Sequence, residues 1–183
     1  MQELLFVLWF FWPAGVAILI PVLAAHTPGL TKWTAPMDGG RTYKGKRLLG
    51  DNKTWRGFVT GTLAGLLWFA VQMWWYDHSS YVQAMSPLDY TTLTALLVGL
   101  AVSGGALIGD AVASFFKRQL EVAPGKSWFP WDQIDFIIGG MLLSLPFVQL
   151  PLWVYVLTLP VWIGIHLIFG ALGYVFKFKD SVI

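Results

Sequence analysis

Five long apolar runs leave this chain little choice but to fold as helices in a membrane. They cover Leu4–Ala25, Gly57–Tyr76, Leu93–Phe116, Ile134–Val148 and Leu152–Phe176. A helix needs about 20 mostly apolar residues to cross a hydrocarbon core of roughly 30 Å. The fourth run is short and polar at its start; the others reach that length. A spanning β-barrel would alternate apolar and polar residues instead of running continuously apolar. Charged residues make up 12% of the 183, against about 25% in soluble domains. The expected fold is all-α: a polytopic integral membrane protein of five transmembrane helices, one domain over residues 1–183. Residues 1–25 lack the Lys or Arg of a signal-peptide n-region and are apolar for too long, so they read as a retained first helix. Pro13, Pro21 and Pro160 fall inside helices, where proline kinks. Pro146 and Pro151 bracket the connection between the fourth and fifth.

The basic residues set the orientation. Lys32, Arg41, Lys44, Lys46, Arg47, Lys53 and Arg56 lie between the first and second runs. Lys117, Arg118 and Lys126 lie between the third and fourth, and Lys177 and Lys179 in the tail. With five spans these segments share one side, and the positive-inside rule makes that side cytoplasmic, with the N-terminus outside and the C-terminus inside. A multi-pass protein of the cell membrane follows, with any charged site facing the cytoplasm. Six tryptophans near helix ends (Trp9, Trp12, Trp74, Trp75, Trp153 and Trp162) read as interface anchors. Gly57, Gly61 and Gly65 form small-xxx-small steps that suit close helix packing, within the chain or across a homodimer. Gly99, Gly104, Gly105 and Gly109 thin the third helix and admit a close neighbour, either a helix or a ligand.

The polar exceptions to this apolar plan cluster from Asp110 to Asp135. Asp110, Ser114 and Lys117 stand four and seven residues apart, so they share a helix face. Asp132 and Asp135 are three apart and are expected to share the first turn of the next helix. An ionisable side chain at membrane depth costs roughly 2.5–3.5 kcal/mol, so Asp110 requires a partner or a water-filled cavity. A second cluster, Gly50-Asp51-Asn52-Lys53-Thr54-Trp55-Arg56-Gly57, directly precedes the second helix. Thr54 or Asn52 suits a helix cap, and Lys53 and Arg56 suit phosphate at a helix N-terminus. The basic stretch from Arg41 to Arg47 fits anionic headgroups as well as it fits a substrate. His26, His78 and His166 have no ligand-like spacing, and Asp77 and Asp89 read as solvated loop residues on the opposite side.

Three carboxylates among Lys and Arg at one membrane face suit a hard divalent cation and phosphate oxygens. No His or Cys set suits zinc, since the chain has no cysteine, and no phosphate-binding P-loop is present. Residue chemistry alone therefore reaches Mg²⁺-assisted phosphoryl or nucleotidyl transfer between a bilayer substrate and a soluble one.

The order Ser114-Phe115-Phe116-Lys117-Arg118, then Pro124-Gly125, then Asp132-Gln133-Ile134-Asp135 resembles the signature of the integral-membrane CTP:phosphatidate cytidylyltransferases. The five-helix length and the Gly50–Gly57 stretch look like the archaeal, CDP-archaeol-forming branch of that family, over essentially the whole chain. The resemblance implies CTP and an isoprenoid ether-lipid phosphate as substrates, Mg²⁺ as cofactor, the bilayer as surroundings and no nucleic-acid partner. It implies that Asp110 and Asp132 hold the metal, with Asp135 as a further ligand or orienting partner, and that Lys53 and Lys117 join them in catalysis. By the same resemblance Asn52, Thr54, Arg56, Ser114, Arg118, Pro124, Gly125, Lys126 and Gln133 line the nucleotide and lipid-phosphate site. Bacterial members carry His-Gly-Gly where this chain has Trp128-Phe129-Pro130-Trp131, so their nucleotide contacts in that loop are not carried over.

Other classes fit less well. The D-G-x-x-A-R pattern of alcohol phosphotransferases is absent, and Asp38-Gly39-Gly40-Arg41 only echoes it. A prenyltransferase would need two aspartate-rich motifs. An ion-coupled transporter would carry polar residues through the far half of its helices, and this chain does not.

Overall fold

The first helix, α1 (Gln2–His26), contains both Pro13 and Pro21. Proline has no N–H, so the carbonyls of Trp9 and Ala17, four residues back, lose their helical donors. In the computed structural model, which describes residues 1–123 and 126–175 (169, 170 and 172–175 as backbone only), both carbonyls meet α2 (Trp55–His78). Buried Gln72 donates its Nε2 to Trp9 O. Gly61 presses its Cα against Ala17 O, leaving no space for a Cβ. Gly57 packs on Pro21, and Gly65 on Pro13 O and Ser103. The small-xxx-small ridge is thus used inside the chain, against α1.

A six-residue helix, α3 (Ser80–Met85), interrupts the loop after α2. Next come α4 (Leu93–Gln119), α5 (Trp131–Ser144) and α6 (Leu152–Val175). Gly99 of α4 sits on the ring of Phe69, while Gly105 and Gly109 meet the α5 backbone at Gly139 and Asp135. The glycines of the third apolar run therefore admit neighbouring helices. The core between the helices is apolar and largely aromatic, with Phe6, Phe10, Phe11, Phe69 and Ile137 fully buried. Trp162, expected as an interface anchor, is also buried there, edge-on to Phe136.

The helices α1, α2 and α4 are long and apolar enough to cross a membrane, and α6 is apolar over Leu152–Ile168. The α5 helix differs from the expected Ile134–Val148. It starts at Trp131, behind Pro130, with Asp132 in a first turn that favours a carboxylate. It ends at Ser144, just before Pro146. Its 14 residues rise about 21 Å, short of a bilayer core. The connection expected as plain loop from Asp77 to Tyr90 holds α3 and the buried Tyr90, stacked on Phe69. Asp77 and Asp89 are exposed, as expected, but Asp77 lies in the last turn of α2 and not in the loop. The tail lysines Lys177 and Lys179 lie outside the described residues.

The long loop between α1 and α2 contains a hairpin, β1 (Thr42–Tyr43) with β2 (Lys46–Arg47), in the register Thr42 to Arg47 and Tyr43 to Lys46. Its two turn residues, Lys44 and Gly45, have φ of 51° and 79°, as tight two-residue hairpin turns require. The flanks of the loop run back along each other. Met37 N–H donates to Lys53 O (2.8 Å) and Trp55 N–H to Ala35 O (3.0 Å).

Candidate active site

Lys53 is delivered to α4 by that return strand. Its Nζ donates to both oxygens of Asp110, at 2.8 and 2.7 Å. The residue after it, Thr54, caps α2 by accepting from Gly57 N–H at 3.2 Å. Two turns beyond Asp110, Lys117 reaches across to α5 and donates to both oxygens of Asp132, at 3.0 and 2.7 Å. Trp128 N–H adds a third hydrogen bond to Asp132 (2.8 Å), and the carbonyl of Lys126 accepts from Lys117 (2.8 Å). All four charged side chains are 13–28% exposed, so both pairs sit at the wet edge of the helices.

Asp135 stands between these pairs, a turn further into α5. Its Oδ1 accepts from the adjacent Phe136 N–H, and it lies within electrostatic reach of Asp110, Asp132 and Lys53. Only Asp132 belongs to the first turn of α5, because the helix begins three residues earlier than expected. The glycine contact fixes the spacing: Gly109, next to Asp110, has its Cα against the backbone of Asp135 and Gly139. A Cβ at Gly109 would collide with the Asp135 carbonyl, whereas one at Gly104 would meet only the Thr62 side chain, at 3.7 Å. Gly109→Ala is therefore expected to cost about 1–3 kcal/mol and to lower activity by parting Asp110 from Asp135. Gly104→Ala is expected to be tolerated. Thermal unfolding in detergent, run beside turnover, checks the pair.

Two kinds of cavity flank the site. One, of about 690 Å³, lies between α1, α4 and the start of α2 and includes Asn52, Lys53, Thr54, Arg56 and Asp110 in its wall. The other is an apolar cleft of about 510 Å³ between α4 and α5, lined by Val112, Phe116, Trp128, Trp131 and Leu142, with Asp135 in its wall. A further apolar groove of about 700 Å³ lies between the loop and the other flank of α4, and shares Ile108, Val112 and Phe116 with that cleft.

The remaining expected site residues are placed unequally. Asn52 is exposed. Arg56 is buried and donates to Leu30 O (3.2 Å), while its Nε has no partner. Ser114 is half-buried one turn past Asp110, and Arg118 is half-buried with its Cδ beside Gly50. Gln133 is buried, with its Oε1 unpartnered. Lys126 is exposed, and Pro124 and Gly125 lie outside the described residues. Of the basic stretch, Lys46 and Arg47 are engaged within the protein. Lys46 pairs with Glu121 (2.9 Å), and Arg47 with Asp38 (2.9 Å) and Asp51 (2.8 Å).

The donor set is made entirely of carboxylate oxygens, and this chemistry fits a hard divalent cation. As arranged, lysine ammoniums face Asp110 and Asp132, and among the described residues no three acidic or histidine side chains gather into a ligand cluster.

Residues 1–183 match the family model described as CarS-like: CDP-archaeol synthase. The chain belongs to the CDP-archaeol synthase family. A CDP-archaeol synthase of Methanospirillum hungatei is 43% identical over 150 residues, 79% of this chain and 85% of that relative. One from Thermococcus kodakarensis is 38% identical over 142 residues, 76% of this chain and 75% of the relative. A solved structure described as an intramembrane enzyme for archaeal membrane lipids biosynthesis superposes with a TM-score of 0.70. That protein is 26% identical, and the match covers 90% of this chain and 92% of its own. As a member of the CDP-archaeol synthase family the chain is a multi-pass membrane enzyme, a CTP-dependent nucleotidyltransferase of archaeal lipid synthesis.

Proposed function

We propose that the protein transfers CMP from CTP to an unsaturated archaeal ether-lipid phosphate, 2,3-bis-(O-geranylgeranyl)glycerol 1-phosphate, giving CDP-archaeol and pyrophosphate with Mg²⁺ as cofactor. The observation that carries this reading is the pair of Lys–Asp bridges, Lys53–Asp110 and Lys117–Asp132, beside Asp135, with an apolar cleft that has Asp135 in its wall and a separate cavity that has Lys53 and Asp110 in its wall. Such a pairing suits a substrate with a charged head and long apolar chains together with one that is charged throughout.

An oxygen of the lipid phosphate attacks the α-phosphorus of CTP, the bond to the β-phosphate breaks, and pyrophosphate leaves. The nucleophile is already ionised at neutral pH, so no strong base is needed and catalysis rests on positioning and charge stabilisation. Lys53 and Lys117 turn from their carboxylates to the phosphates. Asp110, Asp132 and Asp135 would hold Mg²⁺, whose charge when bound offsets that of the pyrophosphate. Asn52, Thr54, Arg56, Ser114 and Arg118 surround the phosphates. The apolar faces of α4 meet the lipid chains. The two Lys- and Arg-rich loops, separated by the spans α2 and α4, share one side, and the positive-inside rule makes it the cytoplasmic face of the cell membrane, where CTP is available.

Pyrophosphate release by the purified protein in detergent tests the reading. Release should require CTP, the lipid phosphate and Mg²⁺ together, stop with EDTA, and fail with ATP in place of CTP. Folded protein that releases none under these conditions contradicts it.

A further inference from the structure

We propose that Asp38 is a positioning residue for this reaction, holding the loop so that Lys53 meets Asp110; this rests on the role given to Lys53 above. Asp38 does not belong to the charged clusters beside the membrane helices, yet its side chain is 1% exposed, the most buried charge in any ion pair among the described residues. Its Oδ1 accepts from Gly40 N–H (3.0 Å) and from the Arg47 guanidinium (2.9 Å). Its Oδ2 accepts from Leu49 N–H (3.0 Å), Gly50 N–H (3.1 Å) and Arg47 Nε (3.3 Å). Burial alone would raise its pKa. The Arg47 guanidinium and the amides of Leu49, Gly40 and Gly50 more than offset that and hold the carboxyl well below the usual range. The amides converge because Gly39, Gly40 and Gly50 have φ of 57°, 79° and 92°, values open to glycine.

The bonds lead from Asp38 to Lys53 in two short steps. Asp38 holds the N–H of Gly50, and the carbonyl of Gly50 accepts from Lys53 N–H (3.3 Å). On the other side, Met37, the neighbour of Asp38, donates its N–H to Lys53 O. Lys53 thus has both backbone groups tied to residues that Asp38 organises. The far end of the loop is also anchored. Lys46 Nζ donates to Gln119 O (2.7 Å), and Gln119 Nε2 donates to Arg47 O (3.4 Å), so the hairpin is tied to the end of α4. Lys53 and the hairpin grip the same helix nine residues apart in register, at Asp110 and Gln119. The Asp38–Arg47 pair is the brace between the two grips. An amide at position 38 still accepts through one oxygen but cannot satisfy the guanidinium and three amides together.

The test is a cycle on the full-length protein in detergent, measuring kcat and KM for CTP for wild type, Asp38→Asn, Lys53→Arg and the double variant. Asp38→Asn is expected to lower kcat by on the order of 100-fold, the cost of a misplaced catalytic group, with the melting temperature showing a folded protein. In the double variant the losses should not multiply, because both changes act on the same ammonium. Asp38→Glu, which keeps the charge and both oxygens, should recover part of kcat. Full multiplication of the two losses, or an unchanged kcat in Asp38→Asn, overturns the proposal. If Asp38→Asn does not fold, Arg47→Lys replaces it in the cycle and is read by the same two criteria. Wild-type turnover in the same assay separates failure of this inference from failure of the proposed reaction.

Discussion

Asp110→Asn is expected to abolish turnover, by on the order of 1,000-fold, while the protein stays folded. The substitution keeps the size of the side chain and removes its charge. Lys53 then loses the carboxylate that holds its Nζ from two sides, and a charged member of the three-carboxylate set is gone. The stability cost is small, about 1 kcal/mol or less, because both partners keep contact with water. Neither side chain supports the core; the helix contact here is made by Gly109. Turnover and melting temperature measured on one preparation separate these effects. Near-wild-type activity in folded Asp110→Asn protein would remove Asp110 from the site.

The second large effect distinguishes Lys117, on the helix face shared with Asp110, from Lys126 in the loop beyond it. Lys117→Ala is expected to lower kcat/KM by on the order of 100-fold or more, and Lys126→Ala by no more than about threefold. Lys117 reaches both oxygens of Asp132 from α4 and is mostly buried. Lys126 contributes through its carbonyl, which accepts from Lys117 and survives truncation to alanine. The reverse order of effects would overturn the placement of the phosphates at the α4–α5 crossing.

Much of this was legible in the residues. The α4 face with Asp110, Ser114 and Lys117 follows from helical spacing, and the need of Asp110 for a partner follows from the cost of a charge at membrane depth. Which cation answers it did not follow. Lys53 is 57 residues away, and no periodicity connects a loop to a helix. The glycine steps announced close packing, but their partner depends on Pro13 and Pro21, whose missing donors leave carbonyls facing α2. Arg56 reads as a phosphate ligand from its place at a helix start, and Gln133 by family resemblance; their burial is set by the whole bundle and could not be read from either position. The apolar run begins at Ile134 because Trp131-Asp132-Gln133 interrupts the pattern, whereas the helix begins at Trp131; Asp132 falls in its first turn, as its position suggests, and Asp135 just beyond it. In the sequence Asp38 reads only as part of an echo of another motif, Asp38-Gly39-Gly40-Arg41. The signal available was the Asp-Gly-Gly turn with Gly50 twelve residues on, which carries meaning only once the hairpin brings those segments together.

The most direct test of the central claim follows the α-phosphate. Purified protein would be incubated with the lipid phosphate, Mg²⁺ and CTP labelled at either the α- or the γ-phosphorus, and the lipid phase counted. Cytidylyl transfer predicts that the α-label enters the lipid and that the γ-label leaves as pyrophosphate. Label from the γ-position in the lipid would mean phosphoryl transfer, and would contradict the account of how the two Lys–Asp pairs are used.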